Sequence, residues 1–247
     1  WAAAITALMT GAAYRLSAEL AATLAPFAEF ERNREPMLAV LDAHRQAAGE
    51  IGPQAPPAVL DAATRAWERA LADAAAHGLR NAQVTLIAPT GTVSLMLDCE
   101  TTGIEPYYAF AGHKRLVDGG ELPFASRAIA DGLLALGYST RALEELGEYA
   151  LDHGNLAHAP RLHAGDRAVV QAATGPDPVP IDGHLRMIAA VQPLLSGGVS
   201  KTLNLPADTS PETIERIFLD AWRMGLKSIS VYRLGSKIAE PLQAPED

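Results

Sequence analysis

The stretch "NAQVTLIAPTGTVSLMLDCETTGIEPYYAF", Asn81 to Phe110, places a short β-branched run, Val84-Thr85-Leu86-Ile87, directly before a corner of small hydroxyl and glycine residues: Thr90, Gly91, Thr92 and Ser94. A short apolar run bounded by a proline, here Pro89, reads as a buried strand. Backbone N–H groups in a glycine-containing turn converge on anions, and Thr or Ser hydroxyls add donors without adding charge. The stretch lacks both G-x-x-x-x-G-K-[ST] and G-x-G-x-x-G, so neither the ATPase nor the dinucleotide mechanism is supported. Two readings of the corner stand side by side: a phosphate cradle, or a Thr/Gly turn that bonds its own backbone.

Outward from this corner the chain alternates helices with single strands. Ile5, Leu8, Met9, Leu16, Leu20 and Leu24 recur at helical spacing in an Ala-rich segment, which predicts a helix over residues 2–24 with Met9, Leu16 and the Leu/Ala stripe in the core. Pro36 suits the first turn of a second helix, and a third, Ala58 to His77, closes at Gly78 with a left-handed cap. Beyond the corner, "YYAFAGHKRLV" reads as a strand, followed by helices at Pro123–Leu136 and Arg141–His153. A helix from Gly183 to Leu195, a strand "VSKTLNL", a helix from Ser210 or Pro211 to Met224 and a last strand "SISVYR" complete the pattern. Such alternation predicts an α/β fold with a largely parallel sheet, open or closed.

The bulk numbers exclude several functions. A net charge of −9 opposes a bulk affinity for duplex nucleic acid, which rests on Lys and Arg displacing counterions. No apolar run reaches the ~18 residues of a membrane span. Cys99 is the single cysteine, which rules out an internal disulfide or a dithiol mechanism within this sequence and fits a reducing cytoplasm. Trp1-Ala2-Ala3-Ala4-Ile5 has neither an initiator Met nor a leader pattern and reads as an internal cut. Residues 1–240 are expected to form one domain segment, with the Pro-bearing acidic stretch 241–247 as a tail or linker.

Several long strings in order carry a resemblance: "WAAAITALMTGAAY", "NREPMLAVLDAHRQAA", "IAPTGTVSLMLDCETTGIEPYYAF", "GYSTRALEELGEYALDHGNLAHAP", "IDGHLRMIAAVQPLLSGGVSKTLNLP" and "AWRMGLKSISVYRLGSK". Together they resemble the ribonucleotide reductase catalytic chain, most closely the adenosylcobalamin-dependent class II. The resemblance implies part of a ten-stranded α/β barrel, helix-rich, with the N-terminal half of the barrel missing. It also implies replacement of the ribose 2'-hydroxyl by hydrogen through a cysteine thiyl radical. The cofactor would be adenosylcobalamin, the substrate a ribonucleoside diphosphate or triphosphate, the electron source an external thiol reductant, and a homodimer is compatible with it. In the family the loop matched by Pro89, Thr90, Gly91, Thr92 and Ser94 receives the nucleotide phosphates.

The family's radical-bearing loop and its redox cysteines have no counterpart in this sequence, so the segment alone is expected to be inactive. Three arrangements stay open: a segment of a complete reductase, one product of a split reductase that assembles with a separately encoded N-terminal half, or a non-catalytic nucleotide-binding relative. Iron-dependent relatives relay a radical through adjacent tyrosines near the C-terminus. Tyr232 has no adjacent tyrosine, and Tyr107 and Tyr108 lie elsewhere, which favours cobalamin.

Other residues were weighed against plainer roles. Glu105 in "TTGIEP" either positions substrate or, as a structural carboxylate, fixes its own loop. Lys201 in "SGGVSKTLNLP" is a candidate for substrate binding, placed near the nucleotide by the resemblance, or else the partner of a buried acid. Cys99 is expected to be a buried, inert thiol. His153, His158 and His163 share no helical face and are read as loop and surface residues rather than metal ligands. Arg233, Ser236 and Lys237 suit a basic strand end, or solvated surface charge, while Trp1, Trp67 and Trp222 are expected to pack.

Overall fold

The computed structural model describes residues 1–97, 99–107, 111–115 and 121–236. The chain divides into two compact units, one of Trp1–Ala88, Leu185–Ser200 and Phe218–Ile229, the other of Pro89–His184, Lys201–Ile217 and Ser230–Asp247. Helices α7 (Ile181–Val191) and α8 (Pro211–Arg223) hold residues of both.

The first unit is built on three helices, α1 (Ala2–Leu24), α2 (Arg34–Gly49) and α3 (Pro57–His77). Pro36 falls in the first turn of α2, where its missing N–H costs nothing. Helix α1 packs against α3 through its small residues: Ala4, Ala7, Gly11, Ala18 and Ala21 are buried, as are Thr10, Tyr14 and Ser17. Gly11 makes this approach feasible, because a Cβ there would lie 3.1 Å from the Trp67 indole. Trp67 is fully buried, with the Tyr14 ring centroid 6.0 Å and the His44 ring centroid 5.4 Å away. Burial lowers the His44 pKa against the effect of its 2.6 Å hydrogen bond to the Pro193 carbonyl.

The expectation for α1 is thereby corrected. Met9 and Leu16 are 43% and 52% exposed, and Ile5, Leu20 and Leu24 are exposed with them. Spacing identified the helix, but the close approach to α3 selects the face with the least side-chain volume, so the bulky residues turn outward. Trp1 and Trp222 are likewise exposed rather than packed; only Trp67 fills a core. At Gly78 the φ of +77° is as expected, but ψ of −164° is extended, so the cap is not left-handed helical.

The run Val84–Ile87 is extended but forms one ladder bridge, Ile87 to Val199 in parallel sense. Gly197 N donates to Thr85 O at 2.8 Å, Ile87 N to Gly198 O at 3.1 Å and Ser200 N to Ile87 O at 2.8 Å. Polar side chains satisfy much of the rest: Ser196 Oγ accepts from the Val84 and Thr85 N–H groups, and Tyr14 OH donates to Ala82 O.

The second unit contains a short helix α4 (Gly91–Met96), an antiparallel pair β1 (Ala111–Arg115) and β2 (Glu121–Ala125), and helices α5 (Arg127–Ala135) and α6 (Thr140–His153). Its parallel pair joins β3 (Thr202–Leu205) to β4 (Ser230–Arg233). Leu133, Tyr138, Leu146, Ala150, Leu156 and Leu162 are among its core residues. The helix expected from Pro123 starts instead at Arg127, because Ser126 caps it and residues 121–125 pair with β1. Helix α7 likewise starts before Gly183 and ends before Leu195.

The sheet is less parallel than expected. Among the described residues, one strand pair is parallel and one antiparallel, in two separate two-stranded sheets. A hairpin-length connection between β1 and β2 allows only antiparallel pairing, whereas the long connection containing α8 permits β3 and β4 to run parallel. Tyr108, Lys237 and the expected tail at 241–247 lie outside the described residues.

Candidate functional site

The hydroxyl corner is a helix start. Thr90 O accepts from Ser94 N at 2.7 Å, which opens α4, and the Thr90 and Ser94 hydroxyls meet at 3.0 Å. Ser94 is buried, while Pro89 and Thr90 are exposed. Gly91 and Thr92 supply the first turn of α4. Thr90 has φ of +47°, a left-handed conformation rare for a β-branched residue and costing about 1–2 kcal/mol relative to ordinary backbone.

The loop leaving the corner is fastened at two carboxylates. Cys99 N donates to Ser94 O at 2.8 Å, closing the end of α4. Glu100 then occupies the N-terminus of α5: its Oε1 accepts from Arg127 N at 2.9 Å and its Oε2 from Ser126 Oγ at 2.5 Å, Ala128 N at 3.2 Å and Tyr107 OH at 3.2 Å. Burial works to raise the Glu100 pKa, but these donors prevail and hold the carboxyl below its usual range. A carboxylate at a helix N-terminus also gains from the helix dipole.

Five residues further on, Glu105 Oε2 accepts from the Lys201 ammonium at 2.7 Å and Oε1 from Thr202 N at 2.7 Å, which ties the loop to the start of β3. Lys201 Nζ also lies 2.8 Å from His184 Nδ1 on the first turns of α7. Lys201 and His184 are each 2% exposed. An ammonium can only donate, so Nδ1 accepts and the neutral imidazole carries its proton on Nε2. Burial, followed by the Lys201 charge, lowers the His184 pKa to about 4, against the opposing influence of the Val179 carbonyl. Burial lowers the Lys201 pKa while the Glu105 carboxylate works to raise it.

Of the residues expected from sequence, the structure brings Thr90 and Ser94 into contact and places Gly91 and Thr92 on the same short helix. Lys201 is engaged by Glu105 and His184 rather than by a corner hydroxyl, so the acid-paired reading of Lys201 and the loop-fixing reading of Glu105 both have their partners here. Cys99 is exposed, correcting the expected buried thiol; the turn after α4 leaves its side chain without a core to enter. His153, His158 and His163 are exposed, His153 stacked on Tyr149 with 3.9 Å between ring centroids. Arg233 and Ser236 sit at the exposed end of β4, in a turn closed by Ser236 N to Arg233 O.

Sequence reasoning missed Glu100 and His184. Glu100 lies in a small polar run without periodicity, and its partners begin 26 residues later. The signal for His184 was weak: a lone histidine in the apolar run "HLRMIAAV".

Helices alternating with strands and a parallel β3–β4 pair define a protein of the α/β class, with its phosphate-type corner at a strand-to-helix turn. Residues 1–232 match the family described as ribonucleotide reductase, barrel domain, and the chain belongs to that family. It is 40% identical over 245 residues to a protein of Streptantibioticus cattleyicolor named vitamin B12-dependent ribonucleotide reductase, covering 98% of this chain and 41% of that protein. A protein of the same name from Rhodopirellula baltica is 39% identical over 247 residues, 98% of this chain and 24% of the relative. The chain thus spans well under half the length of these relatives. A solved structure, the Actinobacillus ureae class Id ribonucleotide reductase alpha subunit, matches in fold with a TM-score of 0.52 at 18% identity, over 80% of this chain and 34% of that one.

Proposed function

We propose that this chain supplies the substrate-phosphate corner of a vitamin B12-dependent ribonucleotide reductase, which converts ribonucleotides to 2'-deoxyribonucleotides. The observation that carries the site is Thr90, held at φ +47° on the exposed rim of a helix start with its hydroxyl on buried Ser94. Backbone strain of this kind persists where the surroundings over-determine it, and it concentrates at ligand sites. The N–H groups of the first α4 turn and the Thr90 and Thr92 hydroxyls would take the diphosphate. Neutral donors do so without desolvating several cations.

Holding the phosphates fixes the ribose relative to the reacting groups, and remote binding energy spent in this way appears as rate. Lys201 enters this reading indirectly: its charge holds Glu105, and Glu105 holds the loop that returns from the corner. Removing the 2'-hydroxyl requires two electrons, delivered when two thiols become a disulfide. Cys99 is the single cysteine of this sequence, so those thiols belong to other reductase polypeptide or to an external dithiol, and this chain by itself is inactive.

Cobalamin, when bound, supplies the radical that starts such chemistry. The described residues present no seat that fits a corrin: the exposed corner donors suit phosphate, and the one buried histidine of the site is taken by Lys201. No step is therefore assigned to the cofactor here. Titration of the reductase with a ribonucleoside diphosphate tests the corner. Replacing Thr90 and Thr92 together by Val should weaken binding by at least about tenfold, the loss of one to two charge-assisted hydrogen bonds, with folding little changed. Unchanged affinity would remove the phosphate role, and tight binding without turnover in the complete assembly would favour a non-catalytic nucleotide binder.

A further inference from the structure

Helix α1 shows two opposite faces. One packs on α3 through small residues; the other carries Ile5 (53% exposed), Met9 (43%), Leu16 (52%), Leu20 (39%) and Leu24 (57%). At 100° per residue these five side chains fall within one stripe about 100° wide, running nearly the whole length of the helix. No charged residue interrupts it: the helix has only Arg15 and Glu19, which pair with each other at 3.7 Å on the flank. Beside the stripe, Leu8, Ala12 and Arg15 of α1 and Ala62, Arg65, Ala66 and Arg69 of α3 line an open groove of about 500 Å³. A contiguous apolar stripe rimmed by polar groups marks an interaction surface.

We propose that the outer stripe of α1 is the seat of the remaining reductase polypeptide, the sequence that relatives carry outside the span matched here, and that this polypeptide covers it with an apolar, helix-like segment. Three observations select this occupant. The matched span is 41% of the Streptantibioticus cattleyicolor protein and 24% of the Rhodopirellula baltica protein, so most of a reductase lies outside it. The stripe has the length and the uncharged character of a helix–helix contact. Its rim carries Arg15, Arg65 and Arg69 on a chain of net charge −9, which suits an occupant with acidic flanks and disfavours a second copy of the same basic rim. Five half-exposed aliphatic side chains also offer only on the order of 400 Å², about half of the ~800 Å² per partner of a stable interface between separate molecules. Polypeptide already held to this chain by covalent linkage or by other contacts does not meet that requirement alone.

The test places a photo-crosslinking residue at Leu16 and, separately, at Ile5, in the protein produced in its native cell with a C-terminal tag. These positions face away from the α3 contact, so folding is spared. A control crosslinker at exposed Glu68 on α3 reports background. Crosslinks from positions 5 and 16, mapped by mass spectrometry to reductase sequence outside the matched span and absent from position 68, are expected. In parallel, Leu16→Cys in a Cys99→Ser background should react with maleimide roughly an order of magnitude more slowly in the native assembly than after unfolding. Crosslinks to α1 of a second copy would overturn the proposal in favour of a dimer surface. Full thiol reactivity without crosslinks would overturn it in favour of a free face. Neither result depends on the phosphate corner, so the two readings fail independently.

Discussion

Glu105 and Lys201, 96 positions apart in the chain, form a 2.7 Å ion pair in which the cation is 2% exposed and the carboxylate side chain 14%. The same carboxylate caps Thr202 N, so one side chain fixes both the charge and the backbone at the start of β3. Breaking a buried pair leaves an unpaired charge, which costs about 3–5 kcal/mol. Glu105→Gln should therefore destabilise strongly, and Lys201→Met in the same chain should recover most of the loss. A double-mutant cycle from urea unfolding measures this coupling. Simple additivity would mean that the pair contributes no interaction energy.

His184 gives the protein an acid-sensitive component. Its folded pKa of about 4 lies below the ~6.5 of an unfolded histidine, so the unfolded chain takes up the proton first as pH falls. Its contribution to stability is complete above about pH 6.5 and declines between there and pH 4, by on the order of 2–3 kcal/mol. His184→Asn offers Lys201 an acceptor in place of Nδ1 but does not titrate. Unfolding free energies measured across this range should fall less steeply in the variant; parallel slopes would contradict the assignment.

Thr90→Gly separates strain from ligand contact. Glycine adopts φ of +47° without penalty, so folding stability should rise or stay within about 1 kcal/mol. The hydroxyl is lost, and affinity for a ribonucleoside diphosphate should fall nonetheless. A large destabilisation in thermal melts would show that the Thr90–Ser94 contact outweighs the strain.

Gly78→Ala should be among the most damaging single-methyl additions. The backbone there has φ of +77°, and a Cβ would approach Pro26 Cγ to 2.8 Å and the Phe30 ring to 2.9 Å. Left-handed strain and overpacking together predict a loss of roughly 2–4 kcal/mol. The urea midpoint measures it.

Cys99 is exposed and should react with one equivalent of a thiol reagent in the native chain. Cys99→Ser should leave turnover of the assembled reductase within about twofold, because an exposed side chain without a partner thiol contributes little. Loss of activity with the fold retained would assign the thiol a chemical role.

Helix positions were legible where local chemistry sets them: the Ser126 and Ser139 caps, Gly154 after α6 and Gly225 after α8 terminate helices close to where the sequence indicates. Which face of a helix is buried was not. In α1 the periodic large residues point outward because Gly11 and its alanines admit Trp67, and periodicity cannot distinguish a face packed closely through small residues from one that seats a partner. The corner was visible as composition, yet its short helix and the left-handed Thr90 were not, since one helical turn has no period to read.

The sequence by itself determined the family, the order and type of most elements, and the corner's neutral hydroxyl chemistry, because these depend on residue identity and near-neighbour spacing. Tertiary structure alone decided that Glu100 belongs to α5, that Glu105 belongs to Lys201, and that Lys201 leans on His184. Those partners are 17 to 97 residues apart, and the low dielectric that makes each contact strong arises only when distant segments exclude water together.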